Sequence, residues 1–131
     1  MKAARIAGLW LPVAAMMGLL YYVSSRTDPP GLPSGWDKVI HLGAYALLGL
    51  LALRACHNGW SRLTPGGTLA AVLLGAAYGA FDEFHQSQVA GCHASVGDWL
   101  ADLAGLLLAV VFIATVLAIR RTAGSEGKGA V

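Results

Sequence analysis

The stretch Tyr78–Asp102, YGAFDEFHQSQVAGCHASVGDWLAD, concentrates acidic, imidazole and amide side chains in an otherwise apolar chain. Apolar runs flank it on both sides, Leu69–Ala77 before it and Leu103–Ile119 after it, and it contains neither Lys nor Arg. Polar groups are costly at membrane depth, so a cluster of them marks a candidate functional site. The rest of the chain is interpreted as the scaffold that holds this stretch.

Composition places the chain among small integral membrane proteins. Of 131 residues, 56% are hydrophobic and only 12% are charged, and the mean hydropathy is +0.62. A soluble domain of this length needs more polar surface, and the length suits a single domain. The basic residues are scattered, so we expect the lipid bilayer as a partner and no nucleic acid.

Four apolar segments predict an all-α fold, a four-helix transmembrane bundle. We expect a membrane domain over residues 1–121, followed by a disordered cytoplasmic tail over 122–131, which is Gly-rich and polar. Two rows of small residues, spaced four apart, allow helices to approach closely. These rows are Ala71–Gly75–Gly79 and Ala101–Gly105–Ala109. The predicted segments cover about 6–23, 37–56, 68–86 and 95–121.

The distribution of Lys and Arg predicts the orientation of the bundle. With four spans, seven basic residues fall on the side of the termini and only Arg26 and Lys38 on the other. The positive-inside rule then puts both termini in the cytoplasm and the polar stretch at the extracytoplasmic end. Cys56 and Cys92 fall on opposite sides, so we expect no disulfide between them.

Helical spacing aligns polar residues into stripes near that end. Asp37, His41 and Tyr45 recur every four residues on the second segment, as do Tyr78, Asp82 and Gln86 on the third. The third segment has risen only about 20 Å when it reaches Asp82, at about 1.5 Å per residue. We therefore expect Asp82, His41 and Tyr45 to lie inside the bundle.

Carboxylates and imidazoles converging on a partly buried pocket are suited to general acid–base chemistry. We predict that Asp82 and His41 make a direct or one-water contact, with Asp98 or Asp102 within reach. Asp82 and Glu83 lie about 100° apart around a helix, so either could turn inward, and the sequence leaves this open. The catalytic candidates are Asp37, His41, Tyr45, Asp82, Glu83, Gln86 and Asp98, and the substrate-binding candidates are Arg26, Lys38, His85, His93 and Ser95.

The same side chains also have structural interpretations. Asp37, Asp98 and Asp102 fit as charges in the first turns of helices, and Ser95 fits as an N-cap. His41, Tyr45 and Gln86 could serve helix packing through hydrogen bonds. No HExxH, Gly-rich phosphate loop, GxSxG or CxxC is present, so no cofactor is evident. A divalent metal could still bind through Asp, Glu and His, with its ligands unassigned.

Three sequence pieces together resemble the VanZ-like membrane protein family: DKVIHLGAY, YGAFDEFHQ and VAGCHASVGDWLADLAG, in this order and spacing. Cys92 stands where that family usually has Arg, which leaves anion binding at this position to His93, Arg26 or Lys38. The family pattern matches Asp37, Lys38, His41, Tyr45, Asp82, Glu83, Gln86, Gly91, Ser95 and Asp98.

The resemblance implies a multi-pass protein of the bacterial inner membrane, associated with the cell envelope and with resistance to glycopeptide antibiotics such as teicoplanin. Two function classes follow. The first is an enzyme that acts on a lipid-linked or phosphorylated envelope precursor at the outer leaflet. The second is a non-enzymatic protein that modulates glycopeptide susceptibility or partners an envelope enzyme.

Overall fold

A computed structural model describes residues 2–26, 35–90, 92 and 94–126, and every regular element in this part of the chain is an α-helix. The predicted all-α, four-helix fold is therefore confirmed. The side chains of residues 125 and 126 also lie outside the description. The helices are α1 (Lys2–Ser24), α2 (Trp36–Cys56), α3 (Pro65–Gln86) and α4 (Val96–Glu126).

Three of these helices are long and apolar enough to cross a membrane: Lys2–Ser24, Trp36–Cys56 and Val96–Gly124. Helix α3 does not meet the same hydropathy criterion, although its 22 residues give it a length of about 33 Å. That length matches a hydrocarbon core of about 30 Å. The acidic, imidazole and amide side chains in its last turns lower its hydropathy.

Helices α2 and α4 form the most extensive interface, and α3 packs against both of them. Helix α1 packs on α2 and, over a smaller area, on α3. The buried core therefore lies along the α2–α4 seam, where Leu48, Leu53 and Leu106 are almost completely enclosed. Helix α1 covers the outer side of α2 and buries mainly Leu9 and Val13.

The bundle is apolar outside and carries acidic side chains inside. Large exposed hydrophobic residues occur on all four helices, for example Leu11, Leu47, Phe84 and Val111. By contrast, the buried polar side chains among the described residues are four carboxylates, Asp82, Glu83, Asp98 and Asp102. An apolar exterior with an enclosed acidic group is the arrangement expected of a protein surrounded by lipid.

Glycines bring the helices close together where the small-residue rows predicted it. A Cβ on Gly105 would lie 2.3 Å from the carbonyl oxygen of Leu42, so α4 touches the backbone of α2. A Cβ on Gly75 would lie 2.4 Å from the Leu106 side chain, so this glycine accommodates a core leucine of α4.

The helix ends differ somewhat from the predicted segment limits. Helix α3 starts at Pro65, earlier than expected, with Thr64 as N-cap accepting a hydrogen bond from Gly67 N at 3.3 Å. Proline suits this position because the first helical N–H has no intrahelical acceptor. Helix α4 continues to Glu126, past the expected boundary at residue 121. Residues 127–131 lie outside the described part of the chain.

Candidate functional site: a buried carboxylate–imidazole cluster

Three side chains from three helices meet near the start of α4. We call His41 of α2, Glu83 of α3 and Asp102 of α4 the His41 cluster. His41 Nδ1 and Asp102 Oδ1 are 2.9 Å apart, a hydrogen bond across the α2–α4 interface. The Asp102 side chain is 0% exposed, whereas 16% of the His41 side chain remains accessible. The pair therefore has an enclosed carboxylate behind a reachable imidazole.

A glycine makes room for this carboxylate. A Cβ on Gly79 would lie 2.9 Å from Asp102 Oδ2 and 3.4 Å from Tyr45 Cε1. Helix α3 can approach Asp102 only because this position has no side chain. The ring of Tyr45 is parallel to that of His41, with centroids 6.4 Å apart.

Glu83 connects the cluster to the turn before α4. Its Oε2 accepts a hydrogen bond from Ser95 N at 2.7 Å. Ser95 Oγ accepts one from Gly97 N at 3.1 Å, so the predicted N-cap role of Ser95 is confirmed. Glu83 is 9% exposed, and it continues the buried row Ala71–Gly75–Gly79 along α3.

An ion pair borders the cluster on its exposed side. Lys38 Nζ lies 3.0 Å from Asp98 Oδ1 and 3.1 Å from Asp37 Oδ2. The Lys38 side chain is half exposed and that of Asp98 is buried. The structure thus brings the sequence-predicted Asp37, Lys38 and Asp98 together beside His41. Asp37 and Lys38 lie one turn before His41 on α2, and Asp98 lies one turn before Asp102 on α4.

The remaining predicted residues of α3 face α1 instead. Tyr78 donates a hydrogen bond to Met17 O, and Gln86 Nε2 lies 3.5 Å from Ser24 Oγ. Asp82 is on the same stripe, is 2% exposed and lies beside Ser24 and Gln86, and its Oδ1 has no hydrogen-bond partner among the described residues. We call Asp82, Gln86 and Ser24 the Asp82 group.

His85 and Arg26 lie at the outer edge of this second group. His85 Nε2 is 2.9 Å from Ser25 Oγ, and its ring packs on Tyr21 at a centroid distance of 4.4 Å. The Arg26 guanidinium lies 4.4 Å from the centre of the Tyr22 ring and also hydrogen-bonds the hydroxyl of Tyr22. The predicted binding residue His93 lies outside the described part of the chain.

The structure therefore divides the predicted pocket into two groups. Asp82 and Tyr45 lie inside the bundle, as expected, but the hydrogen bond of His41 is to Asp102, and no direct bond joins it to Asp82 among the described residues. The contact through one water remains a prediction. Glu83, on the small-residue face, is the α3 carboxylate that joins His41. Asp102 was expected only as an alternative to Asp98 within reach of Asp82, and it was not among the catalytic candidates, although its spacing of four from Asp98 placed it on the same face of α4. Its zero exposure and its bond to His41 now make it central.

A groove gives access to Glu83 from the side of the bundle. It has a volume of about 370 Å³ between the end of α3 and the start of α4. Its walls are mainly apolar and include Phe84, Val96 and Trp99 beside Glu83 and Ser95. Trp99 is fixed there by a hydrogen bond from Nε1 to Ala76 O at 3.1 Å.

Fold and site define an apolar helical bundle that has three helices long and apolar enough to cross a membrane and a carboxylate–imidazole cluster enclosed at one end. The model of the VanZ/LLP1 family matches residues 5–118, and the chain belongs to this family. This confirms the resemblance that the three sequence pieces indicated. No curated protein and no solved structure matches the chain.

Proposed function

We propose that the protein is a multi-pass component of the bacterial inner membrane in which all four helices span the bilayer. Helix α3 has the required length, and it is held between α2 and α4. Both termini would be cytoplasmic, because seven of the nine Lys and Arg residues then face that side. The His41 cluster would face the extracytoplasmic side, open to the outer leaflet.

Cysteine labelling tests this orientation, because the described chain has its two cysteines, both free, at opposite ends of the bundle. In intact cells, a membrane-impermeant maleimide is expected to label Cys92 and to leave Cys56 unmodified until the membrane is opened. The Cys92→Ser and Cys56→Ser variants identify which thiol reacts. Labelling of Cys56 alone from outside would reverse the orientation.

We further propose that the His41 cluster performs acid–base chemistry on a lipid-linked or phosphorylated envelope precursor. The observation that carries this proposal is the 2.9 Å bond between the fully buried Asp102 and the accessible His41. A carboxylate at Nδ1 holds an imidazole in the tautomer whose Nε2 can accept a proton. Among the described residues, Nε2 of His41 has no hydrogen-bond partner, which leaves it able to act on substrate.

The groove beside Glu83 supports a substrate with an apolar chain. Phe84, Val96 and Trp99 offer a lipid chain an apolar wall that ends at a carboxylate. A precursor in the outer leaflet could thus reach the cluster laterally without leaving the membrane. Asp82, assigned to catalysis from the sequence, is proposed to order α1 against α3, since its neighbours are Ser24 and Gln86.

Activity is tested with the full-length protein in proteoliposomes, by release of phosphate from lipid-linked phosphates. His41→Gln keeps an N–H donor for Asp102 but removes the proton acceptor, and we expect it to lower the rate at least about 100-fold. The matched control is His57→Gln, the same change at the other end of α2, which is expected to retain activity. Equal rates for both variants would exclude His41 as the base.

A non-enzymatic role is the second candidate, favoured by the many predicted site residues that bond between helices. Tyr78 and Gln86 bridge α3 to α1, and Lys38 bridges α2 to α4. In this case the protein would modulate susceptibility to glycopeptides such as teicoplanin, or partner an envelope enzyme. If cells with the His41→Gln variant at normal membrane abundance have the same teicoplanin susceptibility as cells with the wild type, this candidate is favoured over the enzyme.

A further inference from the structure

Two carboxylate oxygens of the His41 cluster are buried without a hydrogen-bond partner among the described residues. They are Glu83 Oε1 and Asp102 Oδ2. The residues that carry them are 9% and 0% exposed. Buried acceptors almost always have a partner, because an unpaired charged oxygen in an apolar interior is costly. These two oxygens lie in the same cluster, so one electropositive partner could satisfy both.

The geometry of the cluster suits a metal ion. One donor atom from each of His41, Glu83 and Asp102 lies within 4.8 Å of the other two. Donors bound tetrahedrally at about 2.1 Å are about 3.4 Å apart, so closure by at most about 1.4 Å completes the site. Side-chain rotation of Glu83 can supply this movement. One imidazole nitrogen and two carboxylate oxygens suit a cation of borderline softness.

The charge of this end of the bundle also favours a cation. Four carboxylates lie at or beside the cluster, from Asp37, Glu83, Asp98 and Asp102, and Lys38 is the one Lys or Arg that the described contacts place among them. A phosphorylated substrate would meet net negative charge there and be repelled. A divalent cation would lower this negative charge and place a positive centre at the point where the substrate must bind.

We infer that His41, Glu83 and Asp102 bind one divalent cation, Zn²⁺ or Mn²⁺. The inference deepens the proposed function, since the cation would bind the phosphate of the substrate, and it rests on that function for this purpose only. With the cation bound, His41 would serve as a ligand, and the cation would make a bound water acidic enough to release its proton to solvent, in place of the proton acceptance assigned above to Nε2.

Metal binding is measured on the full-length protein in detergent, after removal of metal with a chelator. Zn²⁺ is titrated against a chromophoric chelator, and bound Mn²⁺ is followed by electron paramagnetic resonance. We expect one ion per chain, and Glu83→Gln or His41→Gln should weaken binding at least about tenfold. The matched control is His57→Gln, which removes an imidazole just past the C-terminal end of α2, away from the cluster, and should bind like the wild type.

The outcomes separate this inference from the proposed function. Equal Zn²⁺ binding by the wild type, Glu83→Gln and His41→Gln would place the ion on other side chains, such as Cys92 or His85, and overturn the inference. Full phosphate release by the metal-free protein would also overturn it while leaving His41 as the base. Specific binding without any phosphate release would sustain the cation site and reject the proposed enzyme.

Discussion

Replacing Gly105 with alanine is expected to separate α4 from α2 and to remove most of the folded protein from the membrane. The added Cβ would lie 2.3 Å from Leu42 O and 2.8 Å from Ala46 N. Both atoms belong to the backbone of α2, so no side-chain rotation relieves the overlap. Overpacking costs typically 1–3 kcal/mol, and we expect about 3 kcal/mol or more here because a whole helix must shift.

The matched control for this change is Gly43→Ala on α2. A Cβ at Gly43 meets nothing within 4 Å, so this variant keeps only the gain in helix propensity, about 1 kcal/mol. Membrane abundance and the free energy of unfolding in detergent, measured on both variants, give the comparison. If Gly105→Ala were as stable as Gly43→Ala, the close α2–α4 contact would not exist.

Removing the imidazole of His41 is expected to have an effect of similar size for an electrostatic reason. His41→Ala leaves Asp102 without its hydrogen-bond partner in a fully enclosed position. Leaving a buried carboxylate without its partner costs about 3–5 kcal/mol, because the remaining charge stays desolvated. We therefore expect the free energy of unfolding to fall by about this amount.

Two further variants separate this cause from simple loss of packing. His41→Gln offers Asp102 an amide donor and should retain most of the stability. In the His41→Ala background, adding Asp102→Asn removes the buried charge and should recover most of the lost free energy of unfolding. A double-mutant cycle of the two substitutions measures this interaction. Additive effects of the two substitutions would show that His41 and Asp102 do not stabilise each other.

The features that repeat along the chain were predictable from the sequence alone. Apolar segments of sufficient length set the number of helices, and small residues four apart marked the faces where Gly75, Gly79 and Gly105 now touch a neighbour. The order and spacing of three polar pieces indicated the family. Each of these features depends on residues close together in sequence, where helix geometry alone fixes their relation.

Which carboxylate meets His41 was decided only by the tertiary structure. Asp82 and Glu83 are adjacent in sequence but point about 100° apart, so the rotation of α3 in the bundle selects between them. Gly79 allows α3 to approach Asp102, which turns Glu83 toward His41 and Asp82 toward α1. Helix periodicity fixes the angle between two side chains, whereas the direction of each toward its neighbours depends on how three other helices pack around it.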